Sequence, residues 1–308
     1  MSDTALDTAA AQVRRALAGA GPEPVVRTFF DEPTFTATHV VHDPATMQAA
    51  IVDSVLGYEA ESGRTAYEPA ERVEAYVREA GLTVQWLLET HVHADHLSAA
   101  PWLQERLGGT LAIGAGILRV QDVFGKIFNA GSEFARDGSQ FGHLFEDGER
   151  FSLGSVACTA LHVPGHTPAD MAFVIGGMAF VGDTMFMPDY GTARADFPGG
   201  DAETLYRSIR RLLKLPSETR LFLCHDYKAP GRDEYVWETT VGAELAQNIH
   251  VHDGVSEAEF VAMRTARDAT LSLPKLIMPS VQVNMRAGHF PEAEDNGTVY
   301  LKIPVNRM

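Results

Sequence analysis

The chain has 308 residues, 45% of them hydrophobic, and a formal net charge of −16, with a pI of about 5.1. That length buries a sizeable core as one large domain or a domain with a tail, and the acidic balance excludes nucleic acid and anionic membrane surfaces as partners, because both select clustered Lys and Arg. No apolar run reaches the roughly 18–20 residues that span a bilayer, and two cysteines, Cys158 and Cys224, make no disulfide framework, which fits a reducing, cytoplasmic setting.

Met1–Ala20 is Ala-rich, sets Arg14 and Arg15 against Asp3 and Asp7, and lacks an apolar signal core. It reads as a short amphipathic or frayed helix, so 1–21 is an N-terminal segment and 22–308 the main domain with its C-terminal extension. Val25–Phe30, Thr34–Val41 and Ala49–Leu56 have strand length and strand patterning between turn residues. Pro69 opens a helix with Val73, Tyr76 and Val77 on one face, and Gly81 closes it. Gln85–Leu88 is a buried strand that runs into His91-Val92-His93-Ala94-Asp95-His96. On extended backbone His91 and His93 point the same way. Asp95 and His96 then turn into a helix through Leu97, Trp102, Leu103 and Leu107.

Leu111–Ile113 is a further strand, and Gly116–Gly142 a helix followed by a loop placed over the site. The strand Val156–His162 leads into Pro164-Gly165-His166-Thr167-Pro168. Gly176-Gly177 between Met171–Ile175 and Met178–Val181 signals a hairpin, because twist-compatible turns need positive φ. The hairpin brings His166 and Asp183 to the same end of a sheet. Asp201 caps a helix with Leu205, Ile209, Leu212 and Leu213 on one face, and the strand Leu221–Leu223 delivers His225. Ser256 and Glu259 form a capping-box pattern at the head of a helix to about Arg267. Leu273–Met308, proline-bearing and without periodicity, reads as a tail packed on the body. Cys158 is a core residue, and Cys224 points to the opposite face from His225.

Imidazoles and carboxylates gathered at strand ends need a cation if they are to be desolvated. The residues permit two arrangements. Two zinc ions, one on His91, His93 and His166 and the other on Asp95, His96 and His225 with Asp183 bridging, would clamp a water for hydrolysis. One ion on His91, His166 and Asp183 alone leaves open positions, the face favoured by non-haem Fe(II) oxygenases. Spacing does not choose between them.

The ordered set His91–His96, His166, Asp183 and His225 resembles the metallo-β-lactamase fold superfamily. This resemblance implies an α/β fold, a four-layer αββα sandwich with the metal site at one edge of its two sheets and here an extended C-terminal tail. Gly182-Asp183-Thr184-Met185-Phe186, Ala193-Arg194-Ala195-Asp196-Phe197, His225-Asp226-Tyr227 and Asn284-Met285-Arg286 are similar to the persulfide dioxygenase (sulfur dioxygenase) branch. That branch includes the ethylmalonic encephalopathy protein and bacterial β-lactamase-hydrolase-like proteins. The branch implies one Fe(II) per chain on His91, His166 and Asp183, and oxidation of glutathione persulfide by O₂ to sulfite and glutathione in sulfide detoxification. His93, Asp95, His96 and His225 then orient the ligands. Arg194, Tyr227, Lys228 and Arg286 become substrate contacts, Asp196 and Asn284 structural supports, and the assembly a dimer or tetramer. Ala193, Ala195 and Ala169 depart from the branch's usual Gly, Thr and Gly. The rival is a dizinc glutathione-thioester hydrolase of the glyoxalase II type.

Overall fold

A computed structural model describes residues 3–307; Met1, Ser2 and Met308, at the ends of the two expected segments, lie outside the described residues. Two six-stranded sheets lie face to face. The first orders β1 (Val25–Asp31), β2 (Thr36–His42), β3 (Gln48–Val52), β6 (Thr83–Leu88), β8 (Thr110–Gly114) and β9 (His143–Phe145). The second orders β10 (Arg150–Leu153), β11 (Val156–His162), β12 (Met171–Ile175), β13 (Met178–Phe180), β14 (Arg220–Phe222) and β15 (Glu238–Thr240). A small sheet joins β5 (Arg64–Ala66), β4 (Val55–Glu59) and β7 (Leu97–Ser98).

Strand alternation makes three apolar layers from these sheets. In β3, Ala50 and Val52 face inward with Leu88, Phe145, Phe173, Phe180 and Phe222, while Ala49 and Ile51 face out. The outward side of the first sheet packs on α2 (Glu68–Glu79), α3 (Ala100–Leu107), α4 (Ile117–Ile127) and α8 (Ile277–Asn284). The outward side of the second, with Leu161, Val174 and Ala179, packs on α1 (Thr4–Leu17), α5 (Ala202–Leu212), α6 (Val241–Gln247) and α7 (Glu257–Asp268). The result is the expected αββα sandwich. Strands buried on both faces, such as β12 along its whole length, read as continuous apolar runs for this reason. Phe180 stacks on Phe222 at 5.0 Å and Phe145 meets Phe173 edge-on at 5.4 Å between the sheets, each ring worth about 1.5–3 kcal/mol of burial.

Four expectations need correction. The segment 49–56 is two strands, β3 and β4, broken at Asp53, whose φ of 53° is left-handed; Asp tolerates that conformation better than most residues. Asp95 and His96 do not start a helix: Leu97 and Ser98 pair with Leu56 and Val55, and α3 begins at Ala100 with Pro101 in its first turn. The loop after α4 does not lie over the site, because Phe128, Phe134 and Phe141 are drawn into the outer core of the first sheet. The C-terminal tail contains α8, which is buried at every position from Pro279 to Asn284 and so has no amphipathic stripe to betray it. No helix among the described residues is long and apolar enough to cross a membrane.

Candidate metal centre

All the metal-capable side chains sit just past strand ends. His91–His96 follow β6, His166 follows β11, Asp183 follows β13 and His225 follows β14. The parallel pairing of β13 with β14 sets Phe180 against Phe222, so Asp183 and His225 emerge side by side. Two glycines permit the close approach. At Gly165 (φ 144°) a Cβ would lie 2.3 Å from Leu205 Cα, and at Gly182 (φ 52°) one would lie 2.6 Å from Thr90 Oγ1.

The cluster separates into two sets, each with its ligand atoms within 4.8 Å of one another: His91, His166 and Asp183, and His93, Asp95, His96 and His225. Asp183 spans them, with Oδ2 3.6 Å from His166 Nε2 and Oδ1 3.5 Å from His225 Nε2. Asp95 Oδ2 is 3.2 Å from His225 Nε2 and 3.3 Å from His96 Nδ1. His91 and His93 lie on one side with rings 4.1 Å apart. Yet His93 turns its Nε2 to Asp53 Oδ1 (3.0 Å) and Glu89 Oε2 (3.3 Å), so it groups with the second set. Asp53 and Glu89 escaped the sequence reading; their position one residue past β3 and β6 was the available signal.

Hydrogen bonds fix the imidazole tautomers. The Thr90 hydroxyl donates to Asp53 Oδ2 at 2.9 Å, so at 3.0 Å it accepts from His91 Nδ1–H. His166 Nδ1–H donates to the Arg194 carbonyl (2.8 Å) and His225 Nδ1–H to the Phe35 carbonyl (3.1 Å). The Nε2 lone pairs of all three therefore face the cluster. His91 Nε2, His93 Nδ1, His96 Nε2, Asp183 Oδ1 and His225 Nε2 are buried without a hydrogen-bond partner. Buried atoms left without partners in this way, the inward Nε2 lone pairs of His91 and His225 and the Asp183 oxygen among them, fit a cation.

Electrostatics follow the same division. Burial pushes His91 well below its ordinary value, and the neighbouring His93 and His166 push it further. Burial also opposes charge on His93, but the Asp53 and Glu89 carboxylates overcome it and hold His93 well above its ordinary value. Burial raises Asp95, yet the His225 and His96 rings outweigh it and lower Asp95 well below its ordinary value. Burial, Asp95 and Asp183 raise the Tyr227 phenol well above its usual range, so it remains a donor.

A cavity of about 140 Å³ opens beside Asp95, His166 and Asp183, walled by Phe186, Tyr190, Phe197 and Tyr227. Arg194 lines it, held in a fork by Asp196 (2.6 and 2.8 Å) and bonded to the Ser272 carbonyl (2.7 Å). Lys228 and Arg286 are not in its lining, against expectation. The Lys228 backbone turns left-handed at φ 61° and its ammonium sits over Tyr235 at 4.3 Å. Arg286 lies over Phe134 at 4.3 Å and donates to the Gln282 carbonyl. Besides Arg194, the cations that reach the pocket are Arg264 and Arg267 of α7. Arg264 is buried in a pair with Asp268 at 2.6 Å. Arg267 is exposed, and no carboxylate pairs with it among the described residues. The two arginines, three apart in the last turn of an expected helix, were the visible sign. Cys224 Sγ lies within 4.8 Å of the ligand atoms of Asp183 and His225, closer than alternation alone suggested, but burial raises its thiol well above its ordinary value.

Residues 32–225 match the Metallo-beta-lactamase superfamily. The chain belongs to that superfamily. It is 56% identical to a probable metallo-hydrolase of Burkholderia pseudomallei over 92% of this chain and 99% of that one. It is 46% identical to glyoxylase B2 of Dictyostelium discoideum over 92% and 97% of the two chains. It is 29% identical to the mitochondrial persulfide dioxygenase ETHE1 of Bos taurus over 88% and 91%. Among solved structures, ETHE1 from Myxococcus xanthus superposes with a TM-score of 0.68 at 31% identity, covering 86% of this superfamily member and 100% of that chain.

Proposed function

We propose that this superfamily member is a glutathione-dependent persulfide dioxygenase with one Fe(II) per chain on His91, His166 and Asp183. The observation that carries the reading is that three-residue face: two imidazoles with Nε2 lone pairs held inward, one carboxylate, and a cavity directly in front. The likeness to ETHE1 proteins in sequence and structure supports it. The overall reaction balances as GSSH + O₂ + H₂O → GSH + H₂SO₃, in which the outer sulfur loses the four electrons that O₂ gains. Fe(II), held by His91, His166 and Asp183, would supply the redox chemistry.

The chain's own groups bind and orient. The sulfur end enters the cavity beside His166 and Asp183, and the glutathionyl body lies toward its open mouth. There the unpaired Arg267 takes a substrate carboxylate, while Arg194, fixed by Asp196, shapes the wall and holds His166 through its carbonyl. Tyr227 donates a hydrogen bond. Phe186, Tyr190 and Phe197 exclude bulk water. His93, Asp95, His96 and His225 orient the centre. The small-molecule partners are glutathione persulfide and O₂, with a dimer or tetramer as the assembly and the cytoplasm as the setting.

The rival is a dizinc glutathione-thioester hydrolase. It is favoured by the second set, His93, Asp95, His96 and His225, and by the likeness to glyoxylase B2 and a probable metallo-hydrolase. One preparation, loaded in turn with Fe(II) and Zn(II), separates the two. The proposal expects O₂ consumption with glutathione persulfide in the iron form and negligible hydrolysis of a glutathione thioester in the zinc form. Rapid thioester hydrolysis with no O₂ consumption would refute it.

A further inference from the structure

The superfamily match ends at residue 225, yet a residue far beyond it reaches back into the centre. Asn284, the last residue of α8, is 5% exposed. Its Nδ2 donates to the carbonyls of His93 (2.9 Å) and His96 (2.8 Å). Its Oδ1 accepts the Ser98 N–H at 2.8 Å. One planar carboxamide thus makes three bonds to the main chain of the loop that carries four metal-capable side chains. Residues 91–96 form neither helix nor strand, so no ladder holds this backbone. Asn is suited to the task because it combines two N–H donors with an acceptor.

A second route runs through side chains. The Ser98 hydroxyl donates to Glu89 Oε1 at 2.6 Å, and Glu89 Oε2 faces His93 Nε2 at 3.3 Å. The anchor is itself fixed. Gln121 of α4 donates to the Met285 carbonyl at 2.9 Å. Gln282 bonds the Lys302 main chain in both directions at 2.9 Å.

We propose that Asn284 is a positioning residue of the metal centre: the C-terminal helix sets the His93–His96 backbone through its carboxamide, and the His93 ring through Ser98 and Glu89. This rests on reading the cluster as a metal centre and not on the identity of the substrate. An Asp at this position would keep the bond from Ser98 but set an oxygen against two carbonyl oxygens, which repel it.

The test uses the full chain loaded with Co(II), whose visible absorption reports ligand geometry. Asn284→Asp is expected to change that spectrum and to release Co(II) to a chelator about ten-fold faster or more. Gln282→Ala, on the same helix, removes the clasp on the tail without touching the loop. It is expected to lower the melting temperature while keeping the parental spectrum and release rate. A parental spectrum and release rate in Asn284→Asp would overturn the proposal, as would equal changes in Gln282→Ala. If Asn284→Asp does not fold, Ser98→Ala cuts the route through Glu89, together with the bond that the Ser98 hydroxyl accepts from the Ala100 N–H (3.1 Å), leaves the Asn284 bonds in place and is expected to shift the spectrum in its own right; a parental spectrum there would overturn the proposal. A parent protein that binds Co(II) but, with iron, consumes no O₂ with glutathione persulfide would refute the substrate reading and leave this one standing.

Discussion

Thr90→Val probes the wiring of the centre with a change of nearly equal shape. Thr90 is 1% exposed, and its hydroxyl sits between Asp53 Oδ2 (2.9 Å) and His91 Nδ1 (3.0 Å). Valine fills the same volume, so the cavity cost is small. The change removes the acceptor for a buried His91 N–H, at about 1–3 kcal/mol, and one donor to Asp53, at about 1 kcal/mol. The metal-free variant is therefore expected to lose about 2–4 kcal/mol of unfolding free energy, measured as a lower urea midpoint at unchanged slope. With the His91 ring no longer fixed, metal affinity is expected to fall about 10–100-fold in competition with a chromophoric chelator. A variant that melts with the parent and holds metal with parental affinity would show that this hydroxyl does not set the His91 tautomer.

His91→Ala, His166→Ala and Asp183→Ala are each expected to abolish iron binding, while His225→Ala retains iron by elemental analysis; equal loss in all four would contradict the single-metal reading. Arg267→Ala is expected to raise KM for glutathione persulfide about five-fold with kcat held, an effect that fades at high salt; an unchanged KM would remove Arg267 from the binding site. Gly165→Ala, at φ 144° and against the Leu205 backbone, is expected to lower stability by about 2–4 kcal/mol in thermal melts, and a parental melting temperature would contradict this. Burial raises the Glu244 carboxyl to about 8, with Asp189 adding to the shift and the Asn248 bond opposing it. The folded chain thus keeps a proton that the unfolded chain releases above about 4.5, and Glu244 costs stability increasingly as pH rises between those values. At about 1.4 kcal/mol per pH unit the bound is about 5 kcal/mol. Glu244→Gln is expected to gain in melting temperature over the parent from pH 5 to pH 8, and a constant difference would contradict the shift.

Much of the fold and the metal-capable residues could be read from the chain because they lie where local rules govern. His91–His96, His166, Asp183 and His225 each follow an apolar run, and Gly176-Gly177 ties two of them to one sheet end. What was hidden depends on packing between distant elements. Asp53 breaks a strand by a left-handed turn that its neighbours Val52 and Ser54 do not announce. Lys228 and Arg286 stand beside motif residues in sequence, but adjacent side chains diverge, and both ended on aromatic rings away from the cavity. Arg267 reaches the cavity only because α7 docks beside the mouth. Helix α8, buried on all sides, has no polar face to give it a period, so the reach of Asn284 into the metal loop had no local signature beyond the motif it stands in.

The measurement that bears most directly on the central claim is an oxygen-electrode trace of the iron-loaded protein on addition of glutathione persulfide, with sulfite assayed at the end point. The account predicts prompt O₂ uptake with one sulfite formed per O₂ consumed, absent in Asp183→Ala. No uptake from protein shown to carry one iron per chain would contradict it.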